Sequence, residues 1–430
     1  MLLVSTILLL LFVASSLYVG AAIGLLGAAL SNLYSSLPLL RGVGELAWGT
    51  SNDFTLVAVP MFMLMGEMLL RSGLAENMFD ALDKWVGHIP GGLMHTNIAA
   101  STLFAATSGS SVATAATVGT VSIPNMHKHG YRPALFLGSI AAGGTLGILI
   151  PPSINMVLYG ALSETSVSDL YLAGFIPGLL MAVLFSALIF VVCIVNRKLA
   201  PRKPRASWGV RLRALWALGP PLYLFMLVVG SIYLGWATPT EASALGVVGT
   251  FLYVVTTGKF SWERLWTALE GTVRTTAMVM LIVVSAYFLN FVMSTIGLTD
   301  VAVKAVGSLT WRPTYVMLAI VAVYLLLGCF VETLTLMVAT TPIIVPIVVA
   351  LGYDPVWFGV VFVILIELAL ITPPIGMNLF VVQSVRINGA FRDVALGSLP
   401  FAVVMLSIIF LLMAFPELAT WLPKTYNALK

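Results

Sequence analysis

The sequence predicts an all-α polytopic membrane protein built from two inverted repeats, each with a re-entrant hairpin and a broken helix. The first observation is composition, because 60% of the 430 residues are hydrophobic and only 9% are charged. Soluble domains carry about 25% charged residues, so this chain cannot cover an ordinary core with a soluble surface. The second observation is a series of apolar segments long enough to cross a bilayer as helices. The third is an internal repeat.

Uninterrupted apolar segments give the predicted spans. Short alternating segments typical of a membrane β-barrel are absent from the sequence. The first charged side chain is Arg41, whereas a cleavable signal peptide begins with a positive region, so we expect two short spans at the N-terminus. The predicted spans are Leu2–Leu17, Gly20–Leu37, Phe54–Leu70, Tyr171–Val195, Leu215–Trp236, Ala242–Val255, Thr272–Met293 and Gly397–Phe415. Two amphipathic segments, Arg71–Lys84 and Ser261–Glu270, are expected to be arm helices on the membrane surface.

Basic residues predict the orientation of the chain. The loop Arg197–Arg213 carries one third of the 21 basic residues and no acidic residue, which is typical of a cytoplasmic loop. Counting spans from this loop places both termini on the periplasmic side. The other basic residues expected inside are Arg71, Lys84, Lys128, Arg132, Lys259, Arg264, Arg386 and Arg392.

The internal repeat becomes visible when the sequence is shifted by 222 positions. The shift aligns Pro151-Pro152 with Pro373-Pro374, and needs no gap across about 30 residues, as a repeat architecture requires. Other aligned pairs are Pro124 with Pro346, Gly130-Tyr131 with Gly352-Tyr353, Pro133 with Pro355, and Phe136 with Phe358. A looser match joins Ser72–Leu74 to Ile296–Leu298. Because the first copy begins from the cytoplasm and the second from outside, the repeats are inverted, as in alternating-access carriers.

Each repeat contains a polar hairpin tip followed by a helix with a proline break. The tips are Ser108-Gly109-Ser110-Ser111 and Gly328–Thr335. The breaks lie around the two Pro-Pro pairs, where prolines remove N–H donors and carbonyls without partners cannot face lipid. Carbonyls and hydroxyls there suit Na⁺, and half-helix N-termini near Ser153 and Gly376 favour an anionic substrate such as a carboxylate.

Each of these elements has a simpler explanation when taken alone. A Pro-Pro pair usually marks a kink, and Ser-Gly-Ser-Ser usually marks a turn or a helix-packing surface. Their joint occurrence, twice and at a constant offset, favours two equivalent cation sites near mid-membrane.

The remaining ionisable residues give weaker indications. Of the intramembrane acids, Glu332 lies in the second tip and is expected near the site, whereas Glu67 and Glu241 fit partners of helix ends equally well. The role of Glu367 stays open. Four histidines lack metal-ligand spacing, no ATP-binding Walker motif occurs, and no nucleophile–base constellation is visible. We therefore expect no enzyme activity, no ATP, no metal other than Na⁺, and no nucleic-acid partner.

Five stretches resemble the large membrane subunit, of the DctM type, of tripartite ATP-independent periplasmic (TRAP) transporters. They are Thr107–Ala116, Gly144–Ser153, Ala237–Ala242, Leu370–Pro374 and Asn378–Val382. The resemblance implies a Na⁺-coupled importer of organic acids with an elevator mechanism. It also implies a periplasmic substrate-binding protein and a small four-helix membrane subunit, expected here as a separate chain, in the bacterial inner membrane.

The resemblance also implies site residues, carried over to matching positions. The first Na⁺ site falls on Ser108, Ser110, Gly147, Ile150 and Pro152. The second, by the internal shift, falls on Gly328, Glu332, Ala369, Thr372 and Pro374. Substrate is expected between the tips, near Ser111, Ser153, Asn155, Thr333 and Asn378. Two or more Na⁺ ions are expected.

The expected organisation has five parts. They are residues 1–92 (scaffold spans and first arm helix), 93–160 (first hairpin and broken helix), 161–312 (scaffold spans, basic loop and second arm helix), 313–386 (second hairpin and broken helix) and 387–430 (C-terminal span). The hairpins and broken helices are expected to move, and the remaining spans to stay static with the small subunit.

Two other functions remain open. One is a stand-alone Na⁺/dicarboxylate symporter that needs no binding protein, and the other is a membrane scaffold or receptor that transports nothing. Among importers, sialic acid, C4-dicarboxylates, 2-oxo acids and ectoine-like solutes remain possible substrates, because the binding protein largely selects the ligand.

Overall fold

A computed structural model describes residues 1, 4–5, 7–8, 11–12, 17–201, 203–308, 311–386 and 388–428, and in these residues all regular structure is helical. The helices are α1 Val19–Tyr34, α2 Val43–Ser51, α3 Ala58–Leu70, α4 Leu74–Val86, α5 Leu93–Ser108, α6 Ser111–His129, α7 Pro133–Leu149, α8 Ile154–Ser163, α9 Val167–Val195, α10 Trp208–Tyr233, α11 Pro239–Thr256, α12 Trp262–Thr295, α13 Leu298–Gly307, α14 Pro313–Gly328, α15 Thr333–Ala350, α16 Pro355–Leu370, α17 Met377–Val385, α18 Phe391–Ala414 and α19 Glu417–Ala428. Helix α10 contains short 3₁₀ and π turns.

Five helices in the described part of the chain are long and apolar enough to cross a bilayer: α9, α10, α12, α15 and α18. Two bent pairs extend this number to seven, one joining Leu39–Ser51 to Thr55–Leu70 at 63° and the other joining α7 to α8 at 45°. The chain is therefore a multi-pass, all-α membrane protein, as predicted. The predicted span Leu2–Leu17 lies largely outside the described residues.

The second arm helix is not where the amphipathic pattern placed it. Ser261–Glu270 does not form a separate surface helix, because Ser261 caps α12 and the helix then continues unbroken for 34 residues to Thr295. Gly271 is the one helix-weakening residue at the junction between Glu270 and the apolar span. A single glycine is tolerated inside a helix. The helix that corresponds to α4 is instead α13.

The starts of α4 and α13 support this correspondence. Gly73 precedes α4 with φ of 68°, and Gly297 precedes α13 with φ of 70°. Both values lie in the left-handed region that glycine adopts without steric cost. The pair belongs to the loose match between Ser72–Leu74 and Ile296–Leu298, so the repeat extends from the arm helices to the broken helices, α4–α8 and α13–α17.

The two helices that precede the proline breaks lie at the centre of the protein. In α7 every residue from Leu135 to Leu149 is buried, and α16 is buried continuously from Trp357 to Leu370. Such all-round apolar helices are expected inside a membrane protein rather than at its surface. The first proline break is thereby brought into the interior.

Helix α18 makes the closest contact with α7. A Cβ built on Gly138 would overlap the backbone of Gly397, and a Cβ on Gly397 would overlap the backbone of Ala134. Small residues allow such close backbone approach between helices in membranes. The C-terminal helix is thus packed directly against the first broken helix.

Candidate substrate and cation site

The first hairpin tip is a tight turn between α5 and α6. Gly109 adopts φ of 61°, and Ser110 caps α6, its hydroxyl oxygen accepting a hydrogen bond from the Ala113 N–H at 3.4 Å. Thr114 donates from its hydroxyl to the Ser110 carbonyl at 2.7 Å and lies 2.9 Å from the Ser108 hydroxyl oxygen. Several oxygen atoms therefore converge within one turn of the tip.

This tip packs against the first proline break. A Cβ built on Gly147 would lie 3.0 Å from the Ser110 carbonyl oxygen and 2.9 Å from the Thr114 hydroxyl oxygen. A Cβ on Gly109 would lie 2.9 Å from the Pro152 carbonyl oxygen. The residues predicted for the first cation site, Ser108, Ser110, Gly147, Ile150 and Pro152, thus lie in two segments that touch.

Proline chemistry makes acceptors available at the same place. An α-helical N–H at position 151 would bond to the Gly147 carbonyl, but Pro151 has no N–H to donate. Ile150 ends the helical pattern in an extended conformation and donates its own N–H to the Leu146 carbonyl at 3.2 Å. Carbonyl oxygens released in this way are the groups that unwound helices in carriers direct at cations.

The second tip has the same construction with a different capping residue. Glu332 caps α15 where Ser110 caps α6, and its carboxylate accepts hydrogen bonds from the N–H and hydroxyl of Thr335 at 3.0 and 3.1 Å. Gly328 packs against Ala369, since a Cβ on Gly328 would overlap the Ala369 methyl group. Two of the residues predicted for the second cation site are therefore in contact.

The other members of the second predicted site are engaged locally or lie at the surface. The Thr372 hydroxyl donates to the Leu368 carbonyl at 2.6 Å, Glu332 bonds within its own helix, and Pro374 is exposed. The structure brings Gly328 and Ala369 together without a comparable convergence of oxygen atoms.

The two halves consequently differ in enclosure. Every residue from 147 to 154 is buried, whereas Ile375 at the second break is 45% exposed and Phe330 at the second tip is 61% exposed. Equivalent motifs in the two repeats thus form one buried half-site and one partly exposed half-site. The sequence predicts two equivalent cation sites, but the two sites differ in solvent exposure.

The centre of the protein is formed where the first tip meets the second half. The Ser111 hydroxyl donates a hydrogen bond to the Glu367 carboxylate at 2.5 Å, and both residues are buried. A Cβ built on Gly144 would lie 3.0 Å from the Ser111 carbonyl oxygen and 3.1 Å from the Asn378 amide nitrogen. Ser111 and Asn378, both predicted substrate residues, therefore flank one glycine of α7.

Several buried polar atoms in this region have no hydrogen-bond partner among the described residues. They are Asn155 Nδ2, Thr333 Oγ1, Glu367 Oε1 and Asn378 Oδ1. Buried polar atoms are nearly always paired, so donors and acceptors left over at or near the tips and breaks fit contacts to a polar or ionic ligand. Three of these four residues are predicted substrate residues.

Ser153 is placed differently from the other predicted substrate residues. Its hydroxyl oxygen accepts from the Met156 N–H at 3.3 Å, and its carbonyl accepts from the Tyr171 hydroxyl at 3.2 Å. It acts as the cap of α8, whose N-terminus is buried beside the break. Its contribution to a site is therefore through the orientation of that helix end.

Thr114 has no place in the predicted site, and Glu367, an intramembrane acid whose role the sequence leaves open, has no predicted partner. Thr114 bridges Ser108 and Ser110, and its position one helical turn after the tip was the available signal. Glu367 is joined to Ser111 across 256 positions of the chain, a contact that no local pattern reveals. In contrast, Glu241 forms a capping box with Thr238, and Glu67 pairs with Arg71 one turn later.

Comparison with known proteins gives the family. Residues 6–418 match the family described as tripartite ATP-independent periplasmic transporter, DctM component. The chain belongs to this family. The C4-dicarboxylate TRAP transporter large permease protein DctM of Pseudomonas aeruginosa is 35% identical over 407 residues, covering 93% of each chain. The sialic acid TRAP transporter large permease protein SiaM of Vibrio cholerae is 33% identical and covers 88% of each chain.

A solved structure supports the fold separately. The YdaH transporter of Alcanivorax borkumensis aligns with a TM-score of 0.65 over 97% of this chain and 98% of its own, at 17% identity. At this identity the likeness establishes the fold alone. Family membership therefore makes the chain a large permease subunit of the DctM type, while the names of its relatives show that substrates differ within the family.

Proposed function

We propose that the chain is the permease subunit of a Na⁺-coupled importer for a small organic acid. The observation that carries the proposal is the enclosed contact between the first tip and the first proline break, where Gly147 meets Ser110 and Gly109 meets Pro152. Oxygen atoms of a hairpin tip and of an interrupted helix converge there, which is the arrangement used by carriers for coupling ions.

Na⁺ enters this proposal as a co-substrate. In the first site the hydroxyls of Ser108 and Ser110 and the carbonyls around Gly147, Ile150 and Pro152 supply neutral oxygens. In the second, the corresponding groups come from Gly328, Glu332, Ala369, Thr372 and Pro374. Because the second half-site is more exposed, the tip around Glu332 has to close further than the first tip to surround an ion.

The organic acid is placed between the tips. Asn155, Thr333 and Asn378 each have a buried polar atom without a protein partner among the described residues, and Ser111 lies beside Asn378. The N-termini of α8 and α17 begin at Ile154 and Met377, and helix N-termini stabilise anions. A carboxylate would accept hydrogen bonds from Asn155 Nδ2 and Thr333 Oγ1 without requiring a lysine or arginine, whereas Asn378 Oδ1 is an acceptor and suits a hydroxyl or N–H group of the substrate.

The proposal includes an elevator mechanism, in which the hairpins and broken helices move and the long spans stay fixed. Residues 93–160 and 313–386 would form most of the moving body, with 1–92 and 161–312 as the frame. Residues 387–430 were assigned to the frame, but the contact between Gly138 and Gly397 favours placing α18 with the moving body.

The proposal includes partners and location. A separate small four-helix subunit would complete the frame, and a periplasmic substrate-binding protein would deliver the acid. The positive charge of the loop Arg197–Arg213 supports a cytoplasmic position for it. Both termini would then lie in the periplasm, and the chain would lie in the inner membrane.

Reconstitution into liposomes tests the proposal. The chain, its small subunit and the binding protein are expected to import a labelled organic acid only when a Na⁺ gradient is imposed. Ser108→Leu should abolish uptake. Uptake driven equally by K⁺ would refute sodium coupling, and full uptake by the chain alone would favour the stand-alone symporter.

A further inference from the structure

A group of three cationic side chains lines an open-sided cavity away from the central site. The cavity lies between the C-terminal end of α3 and the N-terminal end of α12 and is open on one side. Its polar lining consists of Arg71, Ser72, Lys259, Ser261 and Arg264, and Phe260 covers one side. The proposed transport mechanism uses none of these residues.

The charges of this cavity are only partly balanced. Arg71 pairs with Glu67, but Lys259 and Arg264 have no carboxylate within salt-bridge distance among the described residues. One guanidinium nitrogen of Arg264 donates to the Lys259 backbone carbonyl at 2.9 Å, which ties the Arg264 side chain to the segment that carries Lys259. Two positive charges therefore remain available to an anion.

The start of α12 adds to this positive potential. Ser261 caps the helix by accepting from the Arg264 N–H at 3.2 Å, and the following helix is 34 residues long. Helix N-termini carry partial positive charge and stabilise anionic groups, phosphates included. Cationic side chains and the helix end thus point to the same kind of ligand.

Exposed aromatic residues mark the membrane boundary beside the cavity. Trp262 is 77% exposed and Trp266 is 72% exposed, both on the first turns of α12. Tryptophan is enriched where headgroups meet acyl chains. Further along the same helix, the exposed apolar side chains of Leu269 and Val273 offer a surface along which an acyl chain can lie.

We propose that this cavity binds the phosphate headgroup of an anionic phospholipid from the adjacent leaflet. Lys259 and Arg264 donate charge-assisted hydrogen bonds to the phosphate oxygens, while the lipid tail follows α12. Basic pockets between membrane helices on the cytoplasmic side suit anionic headgroups, and the basic residues of this cavity are predicted to lie on that side.

The bound lipid would act on the junction between α3 and α4. The Lys259 ammonium lies 3.2 Å from the position of a Cβ on Gly73, and Gly73 is the left-handed residue at which the first arm helix begins. A phosphate held by Lys259 and Arg264 therefore connects the start of the arm helix to the long helix α12.

The test measures lipid binding to the full-length protein in detergent and does not depend on transport. Phosphatidylglycerol, phosphatidylcholine and inorganic phosphate are added in turn, and bound lipid is counted by native mass spectrometry alongside the melting temperature. The variant is Lys259→Gln with Arg264→Gln. The matched control is Arg274→Gln, which removes an exposed charge of the same helix that pairs with Glu270.

Phosphatidylglycerol should bind and raise the melting temperature of the wild type, and the control should behave alike. Each basic group near an anionic lipid contributes about fivefold in affinity, so the double variant should bind about 25-fold more weakly. Arg264→Lys keeps the positive charge and should retain most of the binding. This variant separates the loss of charge from any structural effect of removing the arginine. Equal binding to the double variant, equal stabilisation by phosphatidylcholine, or stabilisation by inorganic phosphate alone would overturn the proposal.

Discussion

The hydroxyl of Ser111 donates a 2.5 Å hydrogen bond to the carboxylate of Glu367, and this bond joins the two repeats at the centre of the protein. Ser111 begins α6 in the first half, and Glu367 lies on α16 in the second. The remaining carboxylate oxygen of Glu367 has no partner among the described residues. The pair therefore links the first hairpin tip to the helix that leads into the second break.

The first prediction concerns this pair. Glu367→Gln keeps an acceptor for the Ser111 hydroxyl, so its free energy of unfolding should stay within about 1 kcal/mol of the wild type. Glu367→Leu leaves the buried Ser111 donor without a partner and should cost about 1–3 kcal/mol. Unfolding in detergent measures both values. A Leu variant more stable than the Gln variant would show that the hydrogen bond does not stabilise the protein.

The second prediction concerns contact at the first break. Gly147→Ala places a methyl group against the Ser110 carbonyl and the Thr114 hydroxyl. Overpacking of this kind costs about 1–3 kcal/mol. Because the ion-bound tip is proposed to close on Gly147, this cost falls on the bound state, and Na⁺ affinity should drop about tenfold or more in calorimetric titration. Gly119→Ala is the matched control, because its Cβ would meet only ordinary contacts of 3.7 Å or longer. Equal Na⁺ affinity in the two variants would show that the contact at Gly147 does not contribute to sodium binding.

The third prediction follows from the unequal enclosure of the breaks. In a background with Cys193→Ala and Cys329→Ala, Ile375→Cys should react rapidly with a polar maleimide, because residue 375 is 45% exposed. Ile154→Cys, at the corresponding buried break with 6% exposure, should react much more slowly. Labelling is followed by mass spectrometry in detergent without Na⁺. Similar rates at both positions would show that the halves are equally open in solution.

The fourth prediction concerns pH dependence at His88, which lies in the loop between α4 and α5. Burial and the nearby charges of Arg211 and Arg205 lower the pKa of His88, and the imidazole accepts a hydrogen bond from Arg211 at 3.1 Å. Because the folded pKa is below the usual value of about 6.5, the unfolded chain binds the proton first as the pH falls. Stability contributed by neutral His88 is complete above that value and is lost below it.

His88→Gln should therefore lose less thermal stability than the wild type between about pH 7.5 and about pH 5.5, which bracket the usual histidine pKa. Arg205→Gln removes one of the two charges that lower the pKa and should give an intermediate loss. Melting temperatures at both pH values make the comparison. An identical loss in all three proteins would assign the pH dependence to other groups.

Elements that depend on local chemistry were predictable from the sequence. Pro151-Pro152 and Pro373-Pro374 interrupt their helices because proline lacks the N–H that the helix requires. The polar tips were found for a similar reason, since Gly109 is needed for the turn between α5 and α6. Glu332 falls at the cap position of Ser110, as the shift of 222 indicates.

Elements that depend on the surroundings were not predictable in the same way. Ser261–Glu270 has the pattern of a surface helix, but only the packing of the whole chain shows that it continues into the span that follows. The same holds for the exposure of Ile375 and Phe330, because equivalent motifs carry no information about which half is covered. The link between Ser111 and Glu367 spans 256 positions and requires the tertiary structure.

The crossing of α7 and α18 has a mechanical consequence. At Gly138 and Gly397 the two main chains touch with no side chain between them, which favours movement of the two helices as one unit. In the proposed elevator motion, displacement of the first Pro-Pro segment through the bilayer would carry residues 391–414 with it. The moving body of the proposed mechanism would then be larger than the two repeats and would include the exposed face of this C-terminal helix.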